Sequence, residues 1–179
     1  MKNFIVNFSL IIAICSISCD QERPGRWKKD GIPVKDTADQ KVENGFGAAI
    51  IVVKDPKAFV DMWYKPEFPE FDTVQEVQRS VEIGAFIMFA GCKPGQNDKC
   101  DITVDYSLIS PEGKVLGTSL DQIVWNDTPP PALNTHISKA SMVLEFKEGN
   151  KIGEYKVKAV VHDINANISF NLETHFELK

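Results

Sequence analysis

Apolar and polar residues alternate with a period of two along much of the chain, and the last third carries the clearest run. Tyr155, Val157, Ala159 and Val161 alternate with Lys156 and Lys158. Ile168, Phe170, Leu172, Phe176 and Leu178 then alternate with Ser169, Asn171, Glu173, His175 and Glu177. Successive side chains of a strand point to opposite faces, so each run predicts a strand with one dry and one wet face. The turn residues of "DINAN", Asp163 to Asn167, join the two into a hairpin. A two-residue loop at Asn165-Ala166 would put His162 opposite Ser169 and His175 opposite Lys156.

Earlier segments extend the pattern. Ile102, Val104, Tyr106 and Leu108 alternate with Asp101, Thr103, Asp105 and Ser107, a half-buried strand. Between Glu82 and Ala90, Ile83, Ala85, Ile87 and Phe89 share one face while Phe86 and Met88 make the other partly apolar, so both sides need cover. "GFGAAIIVV" from Gly45 gives a strand ending at Lys54. Asp55 and Pro56 then read as the cap and first residue of a helix, with Phe59, Met62 and Trp63 at helical spacing and Lys65-Pro66 as its end. Thr73 with Glu76 forms a capping box that predicts one or two further helical turns. Pro111 to Lys114 is a turn back through Val115 and Leu116. A segment from Gln122 to Trp125 runs into Pro129-Pro130-Pro131, which must leave any sheet. Ser141 to Phe146 is a strand and "KEGNKIG" a turn. Short strands with turn signals at this spacing predict a mainly β chain: an immunoglobulin-like antiparallel β-sandwich with one or two short helices.

The N-terminus breaks the pattern. In "MKNFIVNFSLIIAICSISC", Lys2 precedes an apolar run from Phe4 to Ile14 and then Ser16, Ser18 and Cys19. The run is too short to span a bilayer and reads as a secretory signal. Residues 19–44 are polar and charged, with Trp27 as the one large apolar residue beyond the signal, and read as a flexible tether. The expected organisation is a signal peptide over 1–18, a tether over 19–44 and a sandwich domain over 45–179. A net charge of −5 argues against a nucleic-acid partner, which needs a Lys/Arg-rich face.

Cys19 resembles the modified residue of a bacterial lipoprotein box, with Ser16 standing where an aliphatic residue is usual. The resemblance implies a lipid on Cys19, a periplasmic location and a membrane held through that anchor. Asp20 looks like the inner-membrane retention signal of enteric bacteria. Ser16 and Ser18 also suit ordinary cleavage, which would leave a soluble periplasmic protein. The succession "PEGK", "GNKIGEYKVKAVVHD" and "NLETHFEL" looks like the closing strands of bacterial immunoglobulin-like modules, with a corner at Tyr155. Asp55-Pro56 with Phe59 and Trp63, Phe89 to Cys92, Cys100 to Asp105, Trp125 and the closing hairpin resemble small exported bacterial proteins of unknown function. That likeness runs from Gly45 to Lys179. It supports the sandwich and paired cysteines and carries no activity.

Candidate chemistry is sparse. Cys15 would leave with the signal and Cys19 carry lipid, so Cys92 and Cys100 remain, and two thiols in an oxidising compartment predict one disulfide. Redox catalysis would want thiols two residues apart at a helix start. Zinc would want about four ligands. His136, His162 and His175 are too scattered for a shared metal and are expected to face solvent. "DINAN" mimics the first positions of a calcium loop, but Ile168 and Thr174 stand where its glycine and distal Glu belong. Asp101 and Asp105 share a wet face at roughly 13 Å, too far for a paired acid and base. No catalytic motif occurs, and no cofactor or metal is expected. The residues point to a non-enzymatic cell-envelope module that binds an envelope protein or supports an envelope assembly. The alternative is a small-ligand or glycan-binding module using Trp63, Tyr64 and Trp125.

Overall fold

The computed structural model describes residues 28–29, 32–33, 35–65, 70–130 and 135–179. The signal segment, Cys19, Asp20, Trp27, Pro66 and Pro131 lie outside the described residues, with most of the tether. Lys28–Lys29 (β1) and Ile32–Pro33 (β2) pair as a two-residue ladder. The strands Gln40–Glu43 (β3) and Phe46–Lys54 (β4) follow, then the helix Pro56–Trp63 (α1). Next come Glu76–Val77 (β5), Glu82–Ala90 (β6), Ile102–Ile109 (β7) and Val115–Trp125 (β8). His136–Ile137 (β9), Met142–Glu145 (β10), Gly153–Asp163 (β11) and Ile168–Leu178 (β12) complete the chain.

Two sheets face each other. One has the order β10-β6-β4-β3, with β9 also on β6; the other has the order β5-β12-β11-β7-β8. The chain passes from β4 in the first sheet to β5 in the second and back to β6. It crosses again to β7 and β8, returns through β9 and β10, and closes with β11 and β12. That alternation is an immunoglobulin-like sandwich. Tyr155, at the start of the penultimate strand β11, donates its hydroxyl to the Lys151 carbonyl at 2.8 Å, the corner that such sandwiches use to fix a strand to its own approach.

Between the sheets, Ile83, Ile87 and Phe89 of β6 meet Tyr106, Tyr155, Val157 and Phe176 in one buried cluster. Phe146 and Tyr155 lie with ring centroids 4.7 Å apart, and Phe176 stacks on Tyr155 with 6° between the planes. Burying side chains of this size stabilises by about 1.5–3 kcal/mol each. The opposite face of β6 is covered too: Phe86 packs with Phe59 of α1, and Met88, Trp63 and Phe71 border that second cluster. The helix fits closely because its cap and its floor are both specialised. Asp55 sits at φ 45° and accepts from Ala58 N–H at 3.0 Å. Pro56 rests on Gly84, where a Cβ would meet the ring at 2.8 Å.

Three sequence expectations are corrected. Thr73 to Glu76 does not form helical turns. Residues 70–75 form neither helix nor strand, Val74 N–H donates to Val52 O at 2.8 Å, and β5 pairs parallel with β12 through Glu76–Glu177 and Val77–Leu178. Burial of Val74 and Val77 between the sheets outweighs the weak local cap. Among the described residues α1 is then the one helix. Val115 to Trp125 is a single strand, not a turn return plus a separate segment, because register shifts against β7 absorb the irregular residues around Leu116 and Asp121. The first sheet also begins ahead of Gly45, since β3 pairs with β4; Ala38, just before β3, accepts from Glu173 N–H of β12 in the other sheet at 2.7 Å.

Candidate functional site

Cys92 and Cys100 form a disulfide that closes the loop between β6 and β7, with Cα atoms 6.0 Å apart. The hairpin turn after β11 is tied to this loop. Asp163, wholly buried, accepts from Lys93 N–H at 2.9 Å and from Ala166 N–H at 3.0 Å. Asn165 donates to the Lys93 and Lys99 carbonyls at 3.1 and 3.0 Å. The oxygens that would begin a calcium loop are therefore spent on backbone donors, and Asn165 turns toward the cysteine loop. Gly95, Gln96, Asn97, Asp101, Asn126 and Asn165 line an open polar cleft of about 510 Å³ beside it.

The outer face of the second sheet carries a cluster of charged side chains. The hairpin register is the expected one, His162 opposite Ser169 and His175 opposite Lys156, although its loop holds four residues, 164–167. His175 is exposed. His162 is half-buried, with its Nε2 3.7 Å from Asp105 Oδ2, too long for a hydrogen bond. The other oxygen of Asp105 accepts from Asp121 N–H at 2.7 Å. Lys156 and Lys158 both reach Glu173, at 3.2 and 3.3 Å. Partial burial opposes ionisation of Glu173, but those two hydrogen bonds and charges prevail and hold its carboxyl below the ordinary value. Asp101 is exposed and lies just ahead of β7, four residues from Asp105.

His136 departs from the solvent-facing expectation. It is half-buried, its Nε2 has no hydrogen-bond partner among the described residues, and its ring lies 5.9 Å from Trp125 and 6.1 Å from Phe89. Burial pushes its pKa down. Nearby, the Tyr106 hydroxyl is buried without a well-formed hydrogen bond. Its neighbour Ser138 already accepts from Ile87 N–H at 3.1 Å, and burial drives the phenol pKa far up. Among the described residues no three His, Cys, Asp or Glu side chains converge as a metal site.

The three aromatics named as a ligand surface do not converge. Trp63 packs against Phe59 and Phe71, at 5.7 and 6.1 Å, beside a mainly apolar cleft of about 570 Å³ lined by Phe59, Met62, Phe71 and Val74. Tyr64, next to it, is 67% exposed. Trp125 belongs to the other sheet, where it touches Phe89, Lys139 lies over its ring at 4.9 Å and its Nε1 donates to Thr128 O.

A feature that the sequence reading passed over is the edge strand β8. Among the described residues, eight large apolar side chains are exposed, and four of them, Val115, Leu116, Leu120 and Ile123, lie on this strand. One side of β8 pairs with β7, and the loop after β9 reaches only its far end, where Lys139 and Ala140 N–H bond Val124 O and Ile123 O. The signal was present in the sequence as a charge-free run, "VLGTSL", between Lys114 and Asp121.

No protein-family model matches the chain, and no curated protein matches it in sequence. Among solved structures, an immunoglobulin-like protein from Pseudomonas aeruginosa aligns over 74% of this chain and 91% of its own, at 16% identity and TM-score 0.33. A family 123 glycoside hydrolase from Clostridium perfringens aligns over 74% of this chain at 10% identity and TM-score 0.39. An alkylpurine DNA glycosylase from Pseudomonas fluorescens, bound to DNA containing an abasic site analogue, aligns over 58% at 11% identity and TM-score 0.36. The chain spans 27% of the length of each of these two enzymes. These are likenesses of fold, and the architecture rests on the strand order itself.

Proposed function

We propose that the chain is a non-enzymatic interaction module of the bacterial cell envelope, exported by its N-terminal signal, held to a membrane through Cys19 and engaging an envelope protein through β8. The observation that carries this reading is the edge of the second sheet. Natural edge strands are blunted by Lys, Pro, bulges or covering loops, because their unpaired N–H and C=O groups are a template for another strand. From Val115 to Leu120 β8 has no charge and no proline, and Leu120 is 60% exposed, although register shifts against β7 at Leu116 and between Ser119 and Gln122 make the edge irregular. An added strand would gain main-chain hydrogen bonds and cover these side chains.

The test is in-cell cross-linking of tagged full-length protein, followed by purification and mass spectrometry, for wild type and Leu120→Lys. A stoichiometric envelope protein recovered with wild type and lost with the variant is the expected result. Equal recovery from both removes β8 as the contact. A second reading, binding of a small apolar ligand, is favoured by the cleft beside Phe59 and Phe71. It predicts a saturable change in Trp63 fluorescence with envelope lipids, abolished in Trp63→Phe; a flat titration rejects it.

A further inference from the structure

Going beyond the interaction-module reading, we infer that the cleft beside α1 is the docking site of the chain's own tether, with Trp27 entering it and the basic residues around Trp27 meeting the carboxylates of its rim. The cleft encloses about 570 Å³. Its floor is apolar. Phe59 is buried, Met62 and Phe71 are half-buried and have surface to lose, and the Phe59 and Phe71 rings stand edge to face with centroids 5.1 Å apart. An indole added to such a cluster gains a large buried area and a favourable edge-to-face contact.

The rim selects among apolar occupants. Glu70, Asp72 and Glu76 line it against one cation, Lys54. Glu76 also stands 3.5 Å from Lys179, while Glu70 and Asp72 are exposed. An anionic lipid headgroup would be repelled there, whereas an apolar group set between cations matches both floor and rim. Arg26-Trp27-Lys28-Lys29 is such a group, with three positive charges around the largest side chain of the tether.

The tether is also long enough. Arg26 and Trp27 lie outside the described residues, directly ahead of β1. Asp36 is fixed on the outer edge of β3, where its Oδ1 accepts from Val42 N–H at 3.2 Å. Val42 pairs with Gly47, and Val52, whose carbonyl holds Val74 at the cleft, is five residues further along β4, about 17 Å at the rise of a strand. From Asp36 back to Trp27 the chain takes three steps to Pro33, one rung across to Lys28 and one more step. That path spans about 19 Å with the β1–β2 ladder closed. On so short a lead Trp27 acts at an effective concentration on the order of millimolar, so a contact too weak for separate molecules suffices. In the anchored protein, the eight residues from Cys19 to Trp27 would then keep α1 within about 28 Å of the lipid.

The test places a benzophenone photocrosslinker at residue 27 of the full-length chain and maps its products by mass spectrometry. Crosslinks within one chain to residues 54–62 or 70–76 are the expected result. Glu70→Lys combined with Asp72→Lys should lower their yield roughly fivefold at unchanged melting temperature, because the reversed rim repels the tether. Crosslinks confined to other parts of the chain, or a yield that the charge reversal leaves unchanged, overturn the docking. A second measurement titrates lysophosphatidylcholine against tryptophan emission in wild type and Trp27→Ala. A tether that fills the cleft competes with the lipid, so Trp27→Ala should saturate at a roughly tenfold lower concentration. Equal saturation in the two chains overturns the docking and leaves the small-ligand reading standing. Flat titrations in both, with crosslinks to the cleft, reject the small ligand and support the tether.

Discussion

The Lys93 N–H donates to Asp163 Oδ2 at 2.9 Å across 70 residues of chain, tying the disulfide loop to the last hairpin. The carboxylate is fully buried, and its other oxygen is occupied by Ala166 N–H. One aspartate thereby fixes two loops at the same end of the sandwich.

Replacing Asp163 with Ala should lower the unfolding free energy by about 3 kcal/mol, because two charge-assisted bonds are lost and two backbone donors are left unpaired. Urea unfolding followed by tryptophan fluorescence measures this. A loss under about 1 kcal/mol would mean that water replaces the carboxylate at little cost.

Removing the disulfide with Cys92→Ser and Cys100→Ser together should cost about 2.5 kcal/mol, the loop-entropy value for so short a closure. The sheet order should persist, since both partners flank a single connection, the crossover from β6 to β7. Far-ultraviolet circular dichroism of the double variant should match wild type while its melting temperature falls.

Gly91→Ala should be among the most damaging single changes outside the core. Gly91 has φ +75°, and an added Cβ would come within 2.0 Å of the Gly45 carbonyl oxygen. Backbone strain of this kind costs on the order of 1–3 kcal/mol before the clash is added. Soluble yield and melting temperature should both drop; a neutral outcome would mean that the Gly45 turn can move aside.

Acid should weaken the fold partly through His136. Burial lowers its folded-state pKa below the ordinary 6.5, so the unfolded chain binds the proton more readily. The stabilisation from keeping it neutral is therefore full above pH 6.5 and is lost as pH falls toward the depressed folded value. His136→Phe should flatten the loss of melting temperature between pH 7 and 5. An unchanged slope would assign the effect to other groups.

Much of the sandwich was legible because the sheets are amphipathic. Tyr155 to Val161 and Ile168 to Leu178 have period two, and with the turn centred on Asn165-Ala166 that set the register that puts His175 opposite Lys156. The helix was legible from Asp55 and Pro56, whose roles are local. Thr73 to Glu76 misled because a local cap competes there with burial of Val74 and Val77, and burial depends on strands far along the chain. Asp163 looked like a turn residue or a calcium ligand, since nothing nearby in sequence announces Lys93 as its partner. Trp63 and Trp125 looked like one surface only while the sheet assignment of each was unknown. The edge at β8 was missed because exposed Val and Leu give the same letters as buried ones.

The parallel pairing of β5 with β12 has a consequence for the order of folding. Val77 lies against Leu178, the second-last residue, and Leu172, Phe176 and Leu178 fill the centre of the core. Contacts so distant in sequence are slow to form, because the loop between them must close first. A chain emerging from a ribosome therefore holds its first sheet without its lid until β12 is delivered. The sandwich closes late, and deleting β12 should leave a chain that never reaches its native fold.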